Sequence, residues 1–300
     1  TYSASRNAYG HPIPEFLIGF IAYIFGTPYS NLFCFNCFLL SNIFFYKTFI
    51  NKNDNLHLYL LVVCSNFYLL FENTNSIDYP LALLFFSCGL FLLKRNYTYY
   101  AAIIFSLCIG SRANFCLFIY PIIIIYFYQD ILKGKFKRFI NTLIILTLIG
   151  LIFYFPVFQS NNYTLEFLNI PFITESNQQE GWYGGPALEL NSLLPRFIYK
   201  IYKLIGIFSI FIFLINYKKF LNFFLSLERD NLIICITILI NLLTYFFMPT
   251  KFLIINPMMI FLYLISFKIL KKNVIYLLIF LNLFQFIVSY EVIDIKYKYK

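Results

Sequence analysis

Charged side chains are scarce in this chain of 300 residues: Asp, Glu, Lys and Arg together make up 12% of it. Soluble globular domains carry about 25% charged residues and under about 50% apolar residues. Here 61% of the residues are hydrophobic and the mean hydropathy is +0.75. These values exclude a soluble enzyme and a disordered chain, because neither class could cover so much apolar surface in water. They predict an all-α, polytopic transmembrane helix bundle of about 9 to 10 membrane helices.

Histidine and tryptophan are also rare, with two His and one Trp in the whole chain. Neither His11 nor His57 has a second His at metal-binding spacing. The seven Cys all lie inside apolar stretches, so we interpret them as small core residues rather than as a disulfide or metal framework. Cys34 and Cys37 form one CxxC, which is a weak metal signal without a second pair. The sequence therefore indicates no cofactor, although a divalent metal is compatible with it.

The formal net charge of +10 at pH 7 does not come from one basic face. Lys and Arg occur as short clusters between apolar runs, a pattern typical of membrane topology signals. Nucleic-acid binding requires a clustered basic surface, so this distribution excludes nucleic acid as a partner. The expected partner is the lipid bilayer.

Cutting the chain at its charged and turn residues separates apolar segments of membrane-spanning length. The predicted segments are 29–46, 56–71, 79–93, 97–128, 139–158, 197–216, 231–248, 252–267 and 273–290. Together they predict a single transmembrane domain over residues 1–300. Two regions fall outside the spans, an N-terminal loop with an interfacial helix at 1–28 and a long loop at 159–195.

The connecting loops differ in charge. Segments 72–80 and 159–195 contain no Lys or Arg and instead carry acidic residues. The other loops hold fourteen of the 23 basic residues, namely Lys47, Lys52, Lys94, Arg95, Lys133, Lys135, Lys137, Arg138, Lys218, Lys219, Arg229, Lys268, Lys271 and Lys272. By the positive-inside rule the basic loops are predicted to be cytoplasmic and the acidic segments exoplasmic.

This orientation has two consequences. The apolar stretch 13–25 would be about 20 Å long as a helix, which is too short to cross the membrane unaided. We expect it to lie along the outer interface, with a short tilted crossing as the alternative. The segment 97–128 begins and ends on the basic side, so it must cross twice or re-enter. Its polar break is Gly110 to Arg112, and an unpaired Arg there would cost about 3 kcal/mol.

Polar and ionisable residues predicted at membrane depth or at the outer face are the candidate functional residues. They suggest a site for an anionic group at the outer leaflet, and the members are Arg6, His11, Glu15, Glu72, Asp78, Arg112, Arg196 and Lys251. Several have ordinary structural alternatives. Glu15 and Asp78 could each be a helix-start carboxylate, and Lys251 could be a side chain that reaches the interface from a short turn.

The long loop 159–195 contains the single Trp, Trp182, followed by Tyr183 in a glycine-rich stretch. An aromatic pair of this kind can stack on the face of a sugar, or it can anchor the loop at the membrane interface. Both interpretations stay open from the sequence.

Several of these motifs resemble, in order along the chain, those of the GT-C glycosyltransferases, in particular the family 39-like and RgtA-like enzymes that use polyprenyl-phosphate sugars. The first is Ser5 to Glu15, which contains Gly-His-Pro and precedes an apolar helix. Asp78-Tyr-Pro looks like the acidic residue that opens a helix in that family. Gly110-Ser-Arg112 resembles the family's Gly-x-(Thr/Ser)-Arg break, and Pro249-Thr-Lys251 resembles its late outer turn.

The resemblance implies an inverting sugar transfer from a polyprenyl-phosphate donor to a glycan, lipid or protein acceptor. It implies Asp78 and Glu15 as catalytic carboxylates, although the family's main catalytic carboxylate would precede Thr1, so a preceding helix and loop are expected. Donor-phosphate binding would fall to Arg6, Arg112 and Lys251, and substrate binding to His11, Trp182 and Tyr183. The implied location is the bacterial inner membrane, with the site facing the periplasm.

Three other classes remain as alternatives, one of which is a structural membrane subunit. An O-antigen polymerase or ligase would carry its key Arg and His residues in the long loop 159–195, which has neither inside it. A polytopic transporter would show internal repeats and charges within several spans.

Overall fold

The computed structural model describes residues 12–50, 55–74, 78–160, 198, 201, 205–226, 228–247 and 256–298. Within these residues all regular structure is helical, so the all-α prediction is confirmed. The helices are α1 Pro12–Phe25, α2 Thr27–Phe49, α3 Leu56–Ser65, α4 Phe67–Thr74, α5 Asp78–Lys94, α6 Thr98–Ser111, α7 Cys116–Leu132, α8 Phe136–Ser160, α9 Ile207–Ile215, α10 Tyr217–Leu225, α11 Arg229–Phe247, α12 Asn256–Ile269 and α13 Lys272–Lys298.

Three stretches of the described residues are long and apolar enough to cross a membrane, namely Thr27–Phe49, Ala113–Leu132 and Phe136–Pro156. Several further apolar helices are shorter, including Thr98–Ser111 and Asn256–Ile269. Long apolar helices of this kind indicate a membrane protein.

The chain divides into two compact units, of which the first comprises residues 1–48 and 73–189. Its centre is the antiparallel pair α5 and α6, which is joined by a short turn at Asn96. A Cβ on Gly89 would lie 2.5 Å from the Phe105 ring, so only glycine lets the two helices approach this closely. The Cys108 thiol donates to the Ala82 carbonyl at 3.1 Å and ties the helices together near their other end.

Helix α8 lies parallel to α6, since contacts join them in the same order along both helices. Near the start, Arg138 donates to Thr98 Oγ1; further along, Ser106 donates to the Leu146 carbonyl at 3.0 Å. Near the end, the Tyr154 hydroxyl donates to the Ile109 carbonyl at 2.8 Å. The parallel arrangement requires the chain to return between them, and α7 supplies that return.

The segment 97–128 therefore forms a helical hairpin, as its charges predict. The detail differs from the prediction, because α6 remains helical through Gly110 and ends at Ser111, and Arg112 has extended backbone torsions. One 3₁₀ turn, Ala113–Phe115, then leads into α7. Glycine is needed at position 110 for packing and not to break the helix. A Cβ there would lie 2.8 Å from Ile13 Cδ1 of α1 and 2.9 Å from Phe153 Cβ of α8.

The second unit comprises residues 49–72 and 190–300. A buried hydrogen-bond network joins four of its helices. The Asn282 amide of α13 donates to Ser65 Oγ at 3.0 Å and to the Tyr263 hydroxyl of α12 at 3.2 Å, and it accepts from Ser209 of α9 at 3.1 Å. Asn66 also donates to the Tyr263 hydroxyl, at 2.8 Å. Buried polar groups that are satisfied in this way hold helices in one arrangement.

Two features of the second unit differ from the sequence prediction. The segment predicted as one span at 56–71 is broken at Asn66, whose side-chain oxygen accepts from the Leu69 amide and begins α4. The region around Lys218 and Lys219, predicted as a loop, contains α10, with Phe220 and Phe223 buried on its apolar side.

Candidate functional site

Asp78 and Arg112 are brought together by the antiparallel packing of α5 and α6. Asp78 is the first residue of α5, and Arg112 directly follows the last residue of α6. Both therefore lie at the end of the helix pair that is farther from the turn at Asn96. Arg112 Nη1 donates to Asp78 Oδ2 in an ion pair. We call these two residues the polar pair.

The polar pair is largely buried, with 15% of the Arg112 side chain and 18% of the Asp78 side chain exposed. An isolated guanidinium at this depth in an apolar bundle is costly, and a carboxylate in contact removes most of that cost. The ion pair therefore explains how Arg112 is accommodated inside an apolar segment.

Tyr79 and Asn114 complete the surroundings of the pair. The Arg112 guanidinium carbon lies 4.1 Å from the centre of the Tyr79 ring, which is a favourable cation–π distance. Asn114, in the 3₁₀ turn, donates through its amide nitrogen to the Tyr79 hydroxyl at 3.2 Å. Tyr79 therefore fixes both the charged residue and the turn that follows it.

Two buried polar atoms beside Tyr79 lack a hydrogen-bond partner in the described part of the chain. One is Arg112 Nε, a donor, and the other is Asn114 Oδ1, an acceptor. Buried polar groups are nearly always satisfied, so such atoms often point to water or a ligand. The polar pair thus has unused hydrogen-bonding capacity on the side that Asp78 does not occupy.

Helix α1 closes over the same end of the first unit. Ile13 reaches Gly110, two residues before Arg112, and α1 also packs against α5 and α8. Glu15, one of the predicted catalytic carboxylates, is exposed in the first turn of α1. Of the predicted site residues, Asp78 and Arg112 are thus in direct contact, and Glu15 belongs to the neighbouring helix.

The other predicted site residues lie outside the described residues. They are Arg6, His11, Trp182, Tyr183 and Lys251. Arg196 also falls outside them, and Glu72 is described only as part of α4.

Tyr79 and Asn114 were not among the residues selected from the sequence. A signal for each exists in hindsight: Tyr79 adjoins Asp78, and Asn114 lies two residues beyond Arg112 in an otherwise apolar stretch. What the sequence does not give is the common contact that links them, because it depends on how two helices pack.

The arrangement can carry out anion recognition and proton transfer. A guanidinium binds phosphate oxygens through charge-assisted hydrogen bonds, and a neighbouring carboxylate can accept a proton. Within the described ranges, no group of three or more His, Cys, Asp or Glu could hold a metal ion. All seven cysteines are free thiols, and Cys34, Cys37 and Cys108 are buried.

Searches against known proteins add no further identification. No protein-family model, no curated protein and no solved structure matches this chain.

Proposed function

We propose that this protein is an integral-membrane glycosyltransferase of the GT-C type, with a bundle of about 9 to 10 membrane helices. It would transfer a sugar from a polyprenyl-phosphate donor to a glycan, lipid or protein acceptor. The observation that carries this proposal is the polar pair, a buried guanidinium and carboxylate with a spare donor, at one end of an otherwise apolar helix pair. The motif resemblance assigns both residues to the site.

In the proposed reaction the bond between the sugar's anomeric carbon and the phosphate oxygen breaks, and the acceptor oxygen attacks the same carbon. The acceptor's proton passes to a carboxylate, and the polyprenyl phosphate leaves with the additional negative charge. Arg112 would stabilise that charge, because a guanidinium fork matches phosphate geometry. A single displacement inverts the configuration at the anomeric carbon.

Asp78 would take one of two roles in this reaction. It would orient the acceptor or act as the base, together with Glu15. A donor phosphate would bind at the unpaired Nε of Arg112 and compete with Asp78 for the charge of the guanidinium, which would weaken the ion pair and leave the Asp78 carboxylate more available. Arg6 and Lys251 would add positive charge around the phosphate, and His11, Trp182 and Tyr183 would contact the sugar or acceptor.

The proposed location is the bacterial inner membrane, with the site facing the periplasm. The charge pattern supports this side, since the basic loops mark the cytoplasmic face and the segment containing Asp78 carries no Lys or Arg. A lipid-linked donor is also consistent with so hydrophobic a protein, because the polyprenyl tail of the donor would remain in the bilayer throughout the reaction.

The test is a transfer assay with the purified protein, using radiolabelled polyprenyl-phosphate sugars and a panel of acceptors. We expect Arg112→Lys to lower the rate by about 100-fold, since it keeps the charge but loses the bidentate fork. Arg95→Lys is the matched control, because Arg95 is exposed at the other end of the same helix pair. Transfer by Arg112→Lys at the unaltered rate would contradict the proposed role, and no transfer from any donor would contradict the reaction.

A polytopic transporter is the second candidate, and one observation favours it. The segment 56–74 is interrupted at Asn66, within a buried polar network in the second unit. Transporters place discontinuous helices at their substrate sites. The test is uptake of a labelled sugar into proteoliposomes. Uptake that is lost in Asn66→Ala, in a protein that shows no sugar transfer, would favour the transporter over the glycosyltransferase.

A further inference from the structure

The first unit carries a dense group of basic residues at the end opposite the polar pair. Two short turns lie there, one joining α5 to α6 and the other joining α7 to α8. We call this region the basic end, and its cations are Lys94, Arg95, Lys133, Lys135, Lys137 and Arg138. Asp130 is the one acidic residue in the sequence between positions 94 and 138.

Side chains of α7 and α8 fasten the first of these turns. Arg138 of α8 donates through Nη2 to the Asn96 carbonyl at 2.5 Å and through Nε to Thr98 Oγ1 at 3.1 Å. The Tyr126 hydroxyl of α7 donates to Asn96 Oδ1 at 2.5 Å. Asn96 has a φ of 65°, a left-handed torsion that asparagine tolerates better than most residues. We call the contacts of Arg138 and Tyr126 with Asn96 the clamp, and it holds this left-handed turn against α7 and the start of α8.

Two of the six cations are engaged by neighbouring groups, and the other four are exposed. Arg138 is engaged with the neighbouring turn, and the Lys94 ammonium donates to the Thr48 carbonyl of α2. Arg95, Lys133, Lys135 and Lys137 remain exposed to the surroundings. A topology signal requires only that cations be present near the helix ends. The hydrogen bonds of Arg138, which fix the geometry of the turn at Asn96, are more than a topology signal needs.

Aromatic and apolar residues surround these cations on the same helices. Tyr97 and Tyr100 pack edge to face with ring centres 6.4 Å apart, and both are exposed. Leu132 and Ile140, close to the second turn, are also exposed. Tyrosine rings are typical of the headgroup level of a bilayer, and exposed aliphatic side chains next to them are typical of contact with acyl chains.

We propose that the basic end is a binding site for a phospholipid with an anionic headgroup, such as phosphatidylglycerol. The exposed lysines of the second turn would contact the phosphate, Tyr97 and Tyr100 would lie at the headgroup level, and the acyl chains would pack on the apolar helix faces below. Juxtamembrane clusters of four to eight basic residues bind anionic lipids. The site is separate from the polar pair and does not depend on the proposed sugar transfer.

The test measures lipid retention by the full chain, purified in a neutral detergent and titrated with phosphatidylglycerol or phosphatidylcholine. Native mass spectrometry counts the bound lipids, and the melting temperature reports the stabilisation. We expect selective retention of phosphatidylglycerol. The double variant Lys133→Ala/Lys135→Ala should weaken it by about 25-fold, about fivefold for each cation removed.

The matched control is Lys218→Ala/Lys219→Ala, which removes two exposed lysines from α10 in the second unit. Equal retention of the two lipids, or an equal loss in the control variant, would overturn the proposal. A third arm adds glycerol phosphate without acyl chains. If it stabilises the protein as much as phosphatidylglycerol does, the site recognises a soluble phosphate and the lipid assignment is wrong.

The clamp itself is tested by Tyr126→Phe, which removes one hydroxyl and no charge. If the clamp positions the lysines, this variant should weaken phosphatidylglycerol retention several-fold while net charge stays the same. Unchanged retention in Tyr126→Phe would show that charge alone accounts for the binding and would overturn the role of the clamp.

Discussion

Removing the charge of Asp78 should destabilise the protein strongly, because it leaves the Arg112 guanidinium without its counter-charge. Breaking a buried ion pair from one side costs about 3 to 5 kcal/mol. Because 18% of the Asp78 side chain and 15% of the Arg112 side chain remain exposed, the lower part of that range applies, and we expect about 3 kcal/mol for Asp78→Asn. The Tyr79 ring stays in place and continues to offset a small part of the loss.

The expected loss corresponds to a melting temperature lower by about 5 °C, from about 1.6 °C per kcal/mol for a chain of 300 residues. The free thiols of Cys34, Cys37 and Cys108 provide the assay, since all three are buried and become reactive toward a fluorescent maleimide on unfolding. Asp130→Asn is the control, because Asp130 is a half-buried carboxylate in α7 for which no comparable loss is expected.

A double-mutant cycle separates the ion pair from the volume of the side chains. Asp78→Asn/Arg112→Met removes both charges, and an apolar replacement of a buried ion pair is often neutral or stabilising. The double variant should therefore recover most of the stability that Asp78→Asn loses. Two results would show that the polar pair is not a coupled buried pair. One is a melting temperature of Asp78→Asn equal to that of the unaltered protein. The other is a loss in the double variant equal to the sum of the losses in Asp78→Asn and Arg112→Met.

Two further predictions concern packing and buried amides. Gly110→Ala should lower the melting temperature by several degrees, because its Cβ would lie 2.9 Å from Phe153 Cβ, which the backbone of α8 holds in place, whereas Gly19→Ala has nothing within 4 Å of its Cβ and should not lower it. Asn241→Leu should raise the melting temperature, because both side-chain polar atoms of this buried residue lack partners within the described residues, at a cost of about 1 to 3 kcal/mol. Asn282→Leu should lower it, since Asn282 bonds to three other helices. The thiol-reactivity assay measures all four variants, and a reversed order within either pair would refute the corresponding reason.

Much of the helical arrangement could be predicted from hydropathy and charge. The predicted segment 79–93 corresponds to Asp78–Lys94, and the hairpin within 97–128 follows from having basic residues at both of its ends. These predictions succeed because long apolar runs and short charged turns are local properties of the sequence.

The break at Asn66 could not be predicted in the same way. The sequence around it is apolar enough for one continuous span, and the polar network that accompanies the break joins Asn66 to Tyr263, 197 positions along the chain. Helix α10 was missed for the opposite reason, because Lys218 and Lys219 indicate a loop when charge alone is considered. Its buried Phe220 and Phe223 are one helical turn apart, and this periodicity carries the helical signal.

The candidate site shows the same division between local and non-local information. Asp78 and Arg112 stand out in the sequence because ionisable residues are rare in apolar segments. Their direct contact, however, follows from the antiparallel packing of α5 on α6, which glycine at position 89 permits. The ion pair also changes the chemical interpretation, since the Asp78 carboxylate is engaged by Arg112 while Arg112 keeps one unpaired donor, Nε. In the proposed mechanism a phosphate at Arg112 would compete with Asp78 for the guanidinium, so donor binding and the availability of the base would be linked.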